Sequence, residues 1–295
     1  MNKIFSELKN FILRPGHLFK KTNLPIRKMY YFLSMYLHPR TYFSRKIKLK
    51  KSDVQINDEL GFLKIENFHD LKIDLNLIER LKKKININDK QPIYNLMRDE
   101  DFEVDSDVFK FVTSKKIVQV VSEYLGFIPL LTTISVWFCP NNETLDKSSQ
   151  FFHLDHEDIK QVKCFYFIDD IDLDMGPTLF LDQKKSQKII NNINYKITKE
   201  KKRISDKDIK NHVEENDIEY CTGKKNTIYF LDTSKCLHAG SRKSKKSRVV
   251  LFFQFISPFS NHLDWVWQRS GILRKDSWKL KNLDDIQKKL IGLKI

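Results

Sequence analysis

From Leu130 onward the chain changes texture, and that change restricts the fold more than any other feature. LLTTISVWFCP (130–140), QVKCFYFIDDI (161–171), TLFLD (178–182), NTIYFLD (226–232) and SRVVLFFQFI (247–256) are rich in β-branched and aromatic residues. Such residues fit a pleated, half-buried surface. Turn-forming clusters bound them: Pro140-Asn141-Asn142, Asp174-Met175-Gly176-Pro177 and Gly240. Ahead of them, ELGFLKIENF (59–68) reads as a strand. LNLIERLKKKI (75–85) and SKKIVQVVSEYLG (114–126) carry apolar residues at helical spacing, the second closed by Gly126 as a C-cap. Helices followed by several strands predict a mixed, mainly β core, a sandwich or jelly roll flanked by N-terminal helices. A polar stretch, 183–225, with a helix expected at SDKDIKNHVEEN (205–216), is long enough to be a lid or binding insertion.

One segment among the strands carries charge where apolar residues are expected: FFHLDHEDIKQ (151–161). Strand alternation puts His153 and Asp155 on one face, with Leu154 and His156 on the other. Two ligands do not close a metal site, so a third must come from elsewhere. Two histidines and one carboxylate, leaving one side of the metal open, is the facial triad of non-haem Fe(II) oxygenases. Among the other histidines (His17, His38, His69, His212, His238 and His262), His238 has the right setting. It follows a strand in NTIYFLDTSKCLHAGSR, beside the small residues Ala239 and Gly240.

Ten residues on, Arg248 opens the apolar strand SRVVLFFQFI, on the same face as Val250, Phe252 and Gln254. A cation there is costly unless an anion pairs with it. A guanidinium grips a carboxylate through two parallel hydrogen bonds. Iron beside a carboxylate-binding arginine points to a dicarboxylate cosubstrate, for which 2-oxoglutarate is the natural candidate. An isolated His-x-Asp is more often a surface pair or a core hydrogen bond. A zinc hydrolase would also use such ligands but gives Arg248 no role. His156 reads as structural, and Glu157 and Asp158 as solvated. Lys163 is either an anion holder or an edge-strand lysine.

The chain resembles the phytanoyl-CoA dioxygenase-like group of Fe(II)/2-oxoglutarate oxygenases from about residue 61 to residue 257. The resemblance rests on SQFFHLD, KCFYFIDDIDLDMGPT and FLDTSKCLHAGSRKSKKSR in that order. It implies a double-stranded β-helix, the cupin-like form of the jelly roll. It also implies that His153, Asp155 and His238 hold Fe(II), that Arg248 binds the distal carboxylate of 2-oxoglutarate, and that O2 is the second cosubstrate. Halogenases of the group lack the carboxylate ligand, so Asp155 favours hydroxylation. Where many relatives have a Pro-Gly-Ser-His element beside the substrate, this chain reads LDQKKSQK (181–188). The substrate therefore does not carry over.

Charge is placed unevenly. Of a net +15, residues 1–50 hold 12 Lys/Arg against the single acid Glu7, or +11, interleaved with aromatic rings. Two readings stand: helices packed on the main domain with a solvated basic face, or peripheral contact with an anionic membrane. Nucleic acid is disfavoured, because no zinc-finger, helix-turn-helix or RNP-like signature occurs. The expected division is a basic, aromatic helical extension at 1–50, ending in the linker RKIKLKK (45–51), and an oxygenase domain at 51–295 with a helical tail at 263–295. Lys184 to Arg203 holds eight Lys/Arg and one acid, and Arg242, Lys243, Lys245 and Lys246 follow His238. These charges suit a small-molecule or lipid- or sugar-linked substrate bearing phosphate, carboxylate or a CoA-like group, against the alternative of solvated loop charge.

Cys139, Cys164, Cys221 and Cys236 show no CxxC spacing and read as core thiols in a reducing compartment. No signal-peptide pattern opens the chain, and the longest apolar run, MYYFLSMYL (29–37), falls well short of a bilayer span. The expected location is cytoplasmic, with peripheral membrane contact as the open alternative. The rival from another class is a non-catalytic jelly-roll binding protein on an anionic membrane surface. Such a protein has no use for the three ligands and Arg248 together.

Overall fold

The structure is a computed structural model that describes residues 24–46, 52–68, 71, 74–86, 91–98, 101–103, 106–141, 148–195, 203–240, 242–260, 262, 263, 266, 269, 270 and 283–292. Its strands are β1 (Phe62–Ile65), β2 (Tyr94–Met97), β3 (Leu130–Cys139), β4 (Val162–Phe167), β5 (Leu179–Phe180), β6 (Glu219–Tyr220), β7 (Ile228–Leu231), β8 (His238–Ala239) and β9 (Arg248–Ile256). One sheet has the order β1-β7-β4-β9-β3-β2 and the other β6-β5-β8. Every pairing is antiparallel. The two sheets face each other as a double-stranded β-helix, a jelly roll.

Period-two alternation explains why the large sheet is apolar on both sides. Phe165 and Phe167 of β4, Tyr229 and Leu231 of β7, and Val250 and Phe252 of β9 pack inward, toward Phe180 of the small sheet. Cys164, Phe230, Leu251, Phe253 and Phe255 pack outward with Phe109, Ile117 and Val121 of the covering helices. Those helices are α4 (Asp107–Val112) and α5 (Lys115–Leu125), preceded in the chain by α1 (Leu24–Leu37), α2 (Pro39–Arg45) and α3 (Leu75–Lys83). Side chains set their ends. Asp74 caps α3 by accepting from Asn76 and Leu77 N–H, and Ser106 caps α4 through Phe109 N–H. Gly126 stops α5 at φ 88°, where a side chain would be strained.

The five strand segments expected from the sequence are all present. All four cysteines are buried and free. β4 lies between β7 and β9, so the reading of Lys163 as an edge-strand lysine fails. The stretch expected as a lid contains α6 (Gln183–Asn192), α7 (Asp206–Lys210) and β6. The helix expected over 205–216 is thus the five residues of α7, capped by Ser205, followed by a 3-10 turn at Glu215–Asp217. Of the expected tail, α8 (Asp285–Leu290) is the one regular element described. The expected linker and extension fall largely on residues 1–23 and 47–51, outside the described residues.

Within the described part of the N-terminus, two arginines are structural. Arg45 donates to the carbonyls of Ile128 (3.0 Å), Pro129 (3.2 Å) and Lys289 (2.8 Å). Arg27 Nη2 donates to His156 O at 2.9 Å. Both are buried, so their charge belongs to the packing of α1 and α2 on the core rather than to a basic surface.

Candidate metal centre

His153 and His238 form a directly opposed backbone pair. His153 N–H donates to His238 O at 3.0 Å and His238 N–H to His153 O at 3.1 Å. Directly opposed residues point to the same side, so the pairing itself sets the two rings together. Their centroids are 4.3 Å apart. Within 151–155, Phe152 and His153 form isolated bridges rather than a continuous strand. Asp155 reaches the same side because its N–H is held by Thr233 O at 2.9 Å. The side-chain ligand atoms of His153, Asp155 and His238 lie within 4.8 Å of one another, and the trio could hold a metal ion.

The hydrogen bonds around the trio fit that use. His153 Nδ1 donates to Phe151 O at 2.8 Å and His238 Nδ1 to Cys236 O at 3.0 Å. A carbonyl only accepts, so both Nδ1 atoms carry the proton and both Nε2 atoms present a lone pair. Burial pulls the His153 pKa down to about 3, which keeps the ring neutral. His238 Nε2 is 3.3 Å from Asp155 Oδ2, and His153 Nε2 is 3.8 Å from Oδ1. Ligands bound at right angles with bonds of roughly 2.1 Å would be about 3 Å apart, so closing on a metal requires shifts of under about 1 Å.

Asp155 gives the sharpest test. Its Oδ2 is buried and receives no well-directed hydrogen bond. Lys163 Nζ nevertheless stands 2.6 Å from it, and both side chains are almost fully buried. Burial acts to raise the Asp155 pKa, but the Lys163 ammonium opposes it, and the carboxyl is held well below its usual range. Burial likewise lowers the lysine, and the charges of Asp155 and Glu157 overturn it, leaving the ammonium above its ordinary pKa. A crowded anion lacking a directed donor is what a cation site offers when its protein groups alone must balance the charge.

Removing the ammonium should expose that balance. Lys163→Leu should cost the metal-free protein about 3–5 kcal/mol, because it strands a buried carboxylate. Mn(II) should then restore more thermal stability in the variant than in the wild type. Melting curves with and without Mn(II) check this, and equal metal-induced shifts in both proteins would contradict it.

Arg248 is buried on the inward face of β9, as expected, with Nε donating to Gly176 O at 3.3 Å. Among the described residues no acid pairs with it. It is not in contact with the trio. Lys163 pairs in register with Gln254, six residues from Arg248, or about 20 Å of strand. Phe165, Phe252 and Trp137 lie between; Trp137 stacks on Phe252 at 3.8 Å and Lys163 Nζ rests over Phe252 at 5.7 Å.

His156, expected to be structural, packs edge-on against His262 at 5.8 Å, while its carbonyl takes the Arg27 bond. Asp158 corrects the expectation of a solvated acid. It is buried, accepts from Ser257 N–H (2.7 Å) and Ile159 N–H (2.7 Å), and burial raises its pKa to about 7. Glu157 is half-buried and accepts from Gln161 at 3.3 Å.

Of the basic residues expected at the mouth, most of the described ones are paired. Lys184 meets Glu59, Lys185 meets Asp217 at 3.1 Å, Lys245 meets Asp174 at 3.1 Å and Lys246 meets Asp172 at 3.0 Å. Arg242 is buried, bonded to Asp206 at 2.6 Å and over the Phe152 ring at 5.3 Å. It lines a cavity of about 820 Å³ with Phe152, Leu179, Ile209 and Tyr220. Phe152 and Leu179 belong to the cluster on the outer side of the small sheet, away from Phe180 on its inner side.

Sequence reasoning placed Arg203 in the basic run at the mouth without singling it out. Ile204 pairs with Phe152, which sets Arg203 opposite His153 and toward the same side. It is half-buried, and its charge acts on His153 and Lys163. Nothing in a run of eight cations singles it out.

No protein-family profile matches the chain, and no curated protein does. Solved structures similar to it include the epimerase SnoN in complex with Fe3+, alpha ketoglutarate and nogalamycin RO, at 9% identity and TM-score 0.42, covering 68% of this chain and 80% of that one. HygX from Streptomyces hygroscopicus with nickel and 2-oxoglutarate bound gives 12% identity and TM-score 0.43, covering 68% and 84%. EctD from S. alaskensis with 2-oxoglutarate and 5-hydroxyectoine gives 10% identity and TM-score 0.45, covering 72% and 80%. Likenesses this loose do not assign an activity.

Proposed function

We propose that the chain is an Fe(II)- and 2-oxoglutarate-dependent oxygenase that hydroxylates a small anionic substrate. The observation that carries this is the convergence of His153, Asp155 and His238, with both Nδ1 atoms tied to carbonyls and Asp155 Oδ2 lacking a directed donor. Bound there, Fe(II) would supply the oxidative chemistry, with O2 and 2-oxoglutarate as cosubstrates. The residues do the rest. His153, Asp155 and His238 hold the metal from one side and leave the other open. Lys163 offsets negative charge beside the ligands. Arg248, buried and without an acid partner among the described residues, supplies the inward-facing cation suited to the distal carboxylate. Phe165, Phe252 and Trp137 exclude water from the space between.

Anaerobic titration of Fe(II), then 2-oxoglutarate, followed by O2 and measurement of succinate, tests the reading. Saturable iron binding and iron-dependent succinate release are expected. Absence of both would overturn it.

The substrate class rests on Arg203. Register sets Arg203 opposite His153, and Lys163 stands beside Asp155, so both cations face the ligands. Arg203 makes no ion pair among the described residues. A charge-assisted hydrogen bond contributes about 1.5–3 kcal/mol, or roughly 10- to 150-fold in affinity. Arg203→Leu should therefore weaken carboxylate or phosphate ligands found by thermal shift on the Mn(II)/2-oxoglutarate-loaded protein by that factor. Cosubstrate affinity should change little. Ligands that bind the variant as well as the wild type would remove Arg203 from the substrate site.

A further inference from the structure

α1 serves two faces, and one of them has no partner among the described residues. Tyr31 is buried and Met35 packs inward, and Tyr31 meets Phe259 edge-on at 6.4 Å. On the other face Met29, Phe32, Leu33, Tyr36 and Leu37 are spaced i, i+3, i+4, i+7 and i+8, and all are exposed, Tyr36 at 81%. Phe43 of α2 extends the patch at 70%. Elsewhere among the described residues the exposed large apolar side chains are Leu75 and Leu173, each alone. A surface helix ordinarily turns a polar face outward, and a contiguous exposed apolar patch marks an interaction site.

The chemistry around the patch says what covers it. No Asp or Glu occurs between Glu7 and Asp53. Lys28 and Arg40 are exposed on the same two helices, and Lys46 is exposed at the C-terminal end of α2. A second copy seated on this face would bring two cationic surfaces together, whereas anionic lipid headgroups complement them. No described helix is long and apolar enough to cross a membrane, so the contact is one of lying in the interface.

We propose that α1 and α2 form a docking surface for an anionic lipid bilayer, with Phe32, Tyr36 and Phe43 entering the headgroup–acyl boundary and Lys28, Arg40 and Lys46 among the headgroups. The Arg27–His156 bond ties this surface to the segment that carries His153 and Asp155. Docking would thus hold the candidate metal centre at a fixed place relative to the bilayer.

Sedimentation of the full chain, without metal, with phosphatidylcholine vesicles and with vesicles containing phosphatidylserine tests this apart from any catalysis. Binding is expected to the anionic vesicles and to fall with salt. Phe32→Ser/Tyr36→Ser/Phe43→Ser should reduce partitioning roughly 100-fold. Lys28→Gln/Arg40→Gln/Lys46→Gln should reduce it about 5-fold per charge. Melting curves should match wild type, because the substituted side chains are exposed. If the triple serine variant misfolds, Tyr36→Asp alone carries the same expectation in smaller measure. Equal sedimentation of wild type and variants would overturn the proposal, as would equal binding to neutral and anionic vesicles. A vesicle-free dimer that the serine variant dissociates would overturn it in favour of self-association.

Discussion

Arg248→Leu should raise the 2-oxoglutarate requirement roughly 30- to 4000-fold, corresponding to the about 2–5 kcal/mol lost when one partner of a buried charged pair is removed. Mn(II) binding should change little, because Arg248 is far along β9 from the trio. Arg248→Lys should fall between, keeping the charge and losing the forked geometry. Lys245, an exposed cation paired with Asp174, is the fitting control. Arg242 is a poor one, because removing it strands Asp206 and takes away the cation over Phe152. Binding measured with Mn(II) and without O2 separates this step from turnover. The aromatic layer between Lys163 and Arg248 makes the outcome informative. If Arg248→Leu leaves cosubstrate binding intact while Lys163→Leu abolishes it, the cosubstrate carboxylate is held at the Lys163 end.

Loss of a metal ligand is the second large effect. Apparent binding energies of about 10–16 kcal/mol for four-ligand structural zinc sites imply a few kcal/mol per ligand. His153→Ala, Asp155→Ala and His238→Ala should each weaken metal binding roughly 100- to 1000-fold and abolish iron-dependent succinate release. His156→Ala should keep both, since its ring packs on His262. Calorimetry with Co(II) or Mn(II) gives a readout independent of turnover. A His238→Ala protein that binds metal as the wild type does would show that the trio is not the site.

The sheets were legible because period-two alternation and turn residues leave a direct trace, as in KCFYF, whose alternate side chains face two different cores. His153, Asp155 and His238 were legible as candidates for a related reason. Histidine and aspartate beside Phe151 and Phe152 conflict with their surroundings unless they have a task. The convergence itself was not, since it depends on the pairing of 152–153 with 204 and 238, contacts far apart in sequence. Asp158 misled for the same reason. Its partners Ser257 and Arg27 lie about a hundred residues away on either side, and nothing local distinguishes it from a surface acid. The pairing of Lys184 and Lys185 was not legible, because a charge run looks alike whether or not acids from other segments neutralise it.

The mutual backbone pairing of His153 and His238 makes the centre hostage to chain length rather than to composition. A ladder rung fixes which residues stand opposite each other, and a slip of one position would present Ala239 in place of His238 and turn the imidazole outward. Hydrophobic residues throughout the barrel can drift among similar shapes while the fold survives. A single insertion or deletion between Asp232 and His238 would leave a well-packed jelly roll with nowhere to bind a metal. Lineages of such a chain would therefore lose the centre by a change in spacing more readily than by gradual erosion of its surroundings.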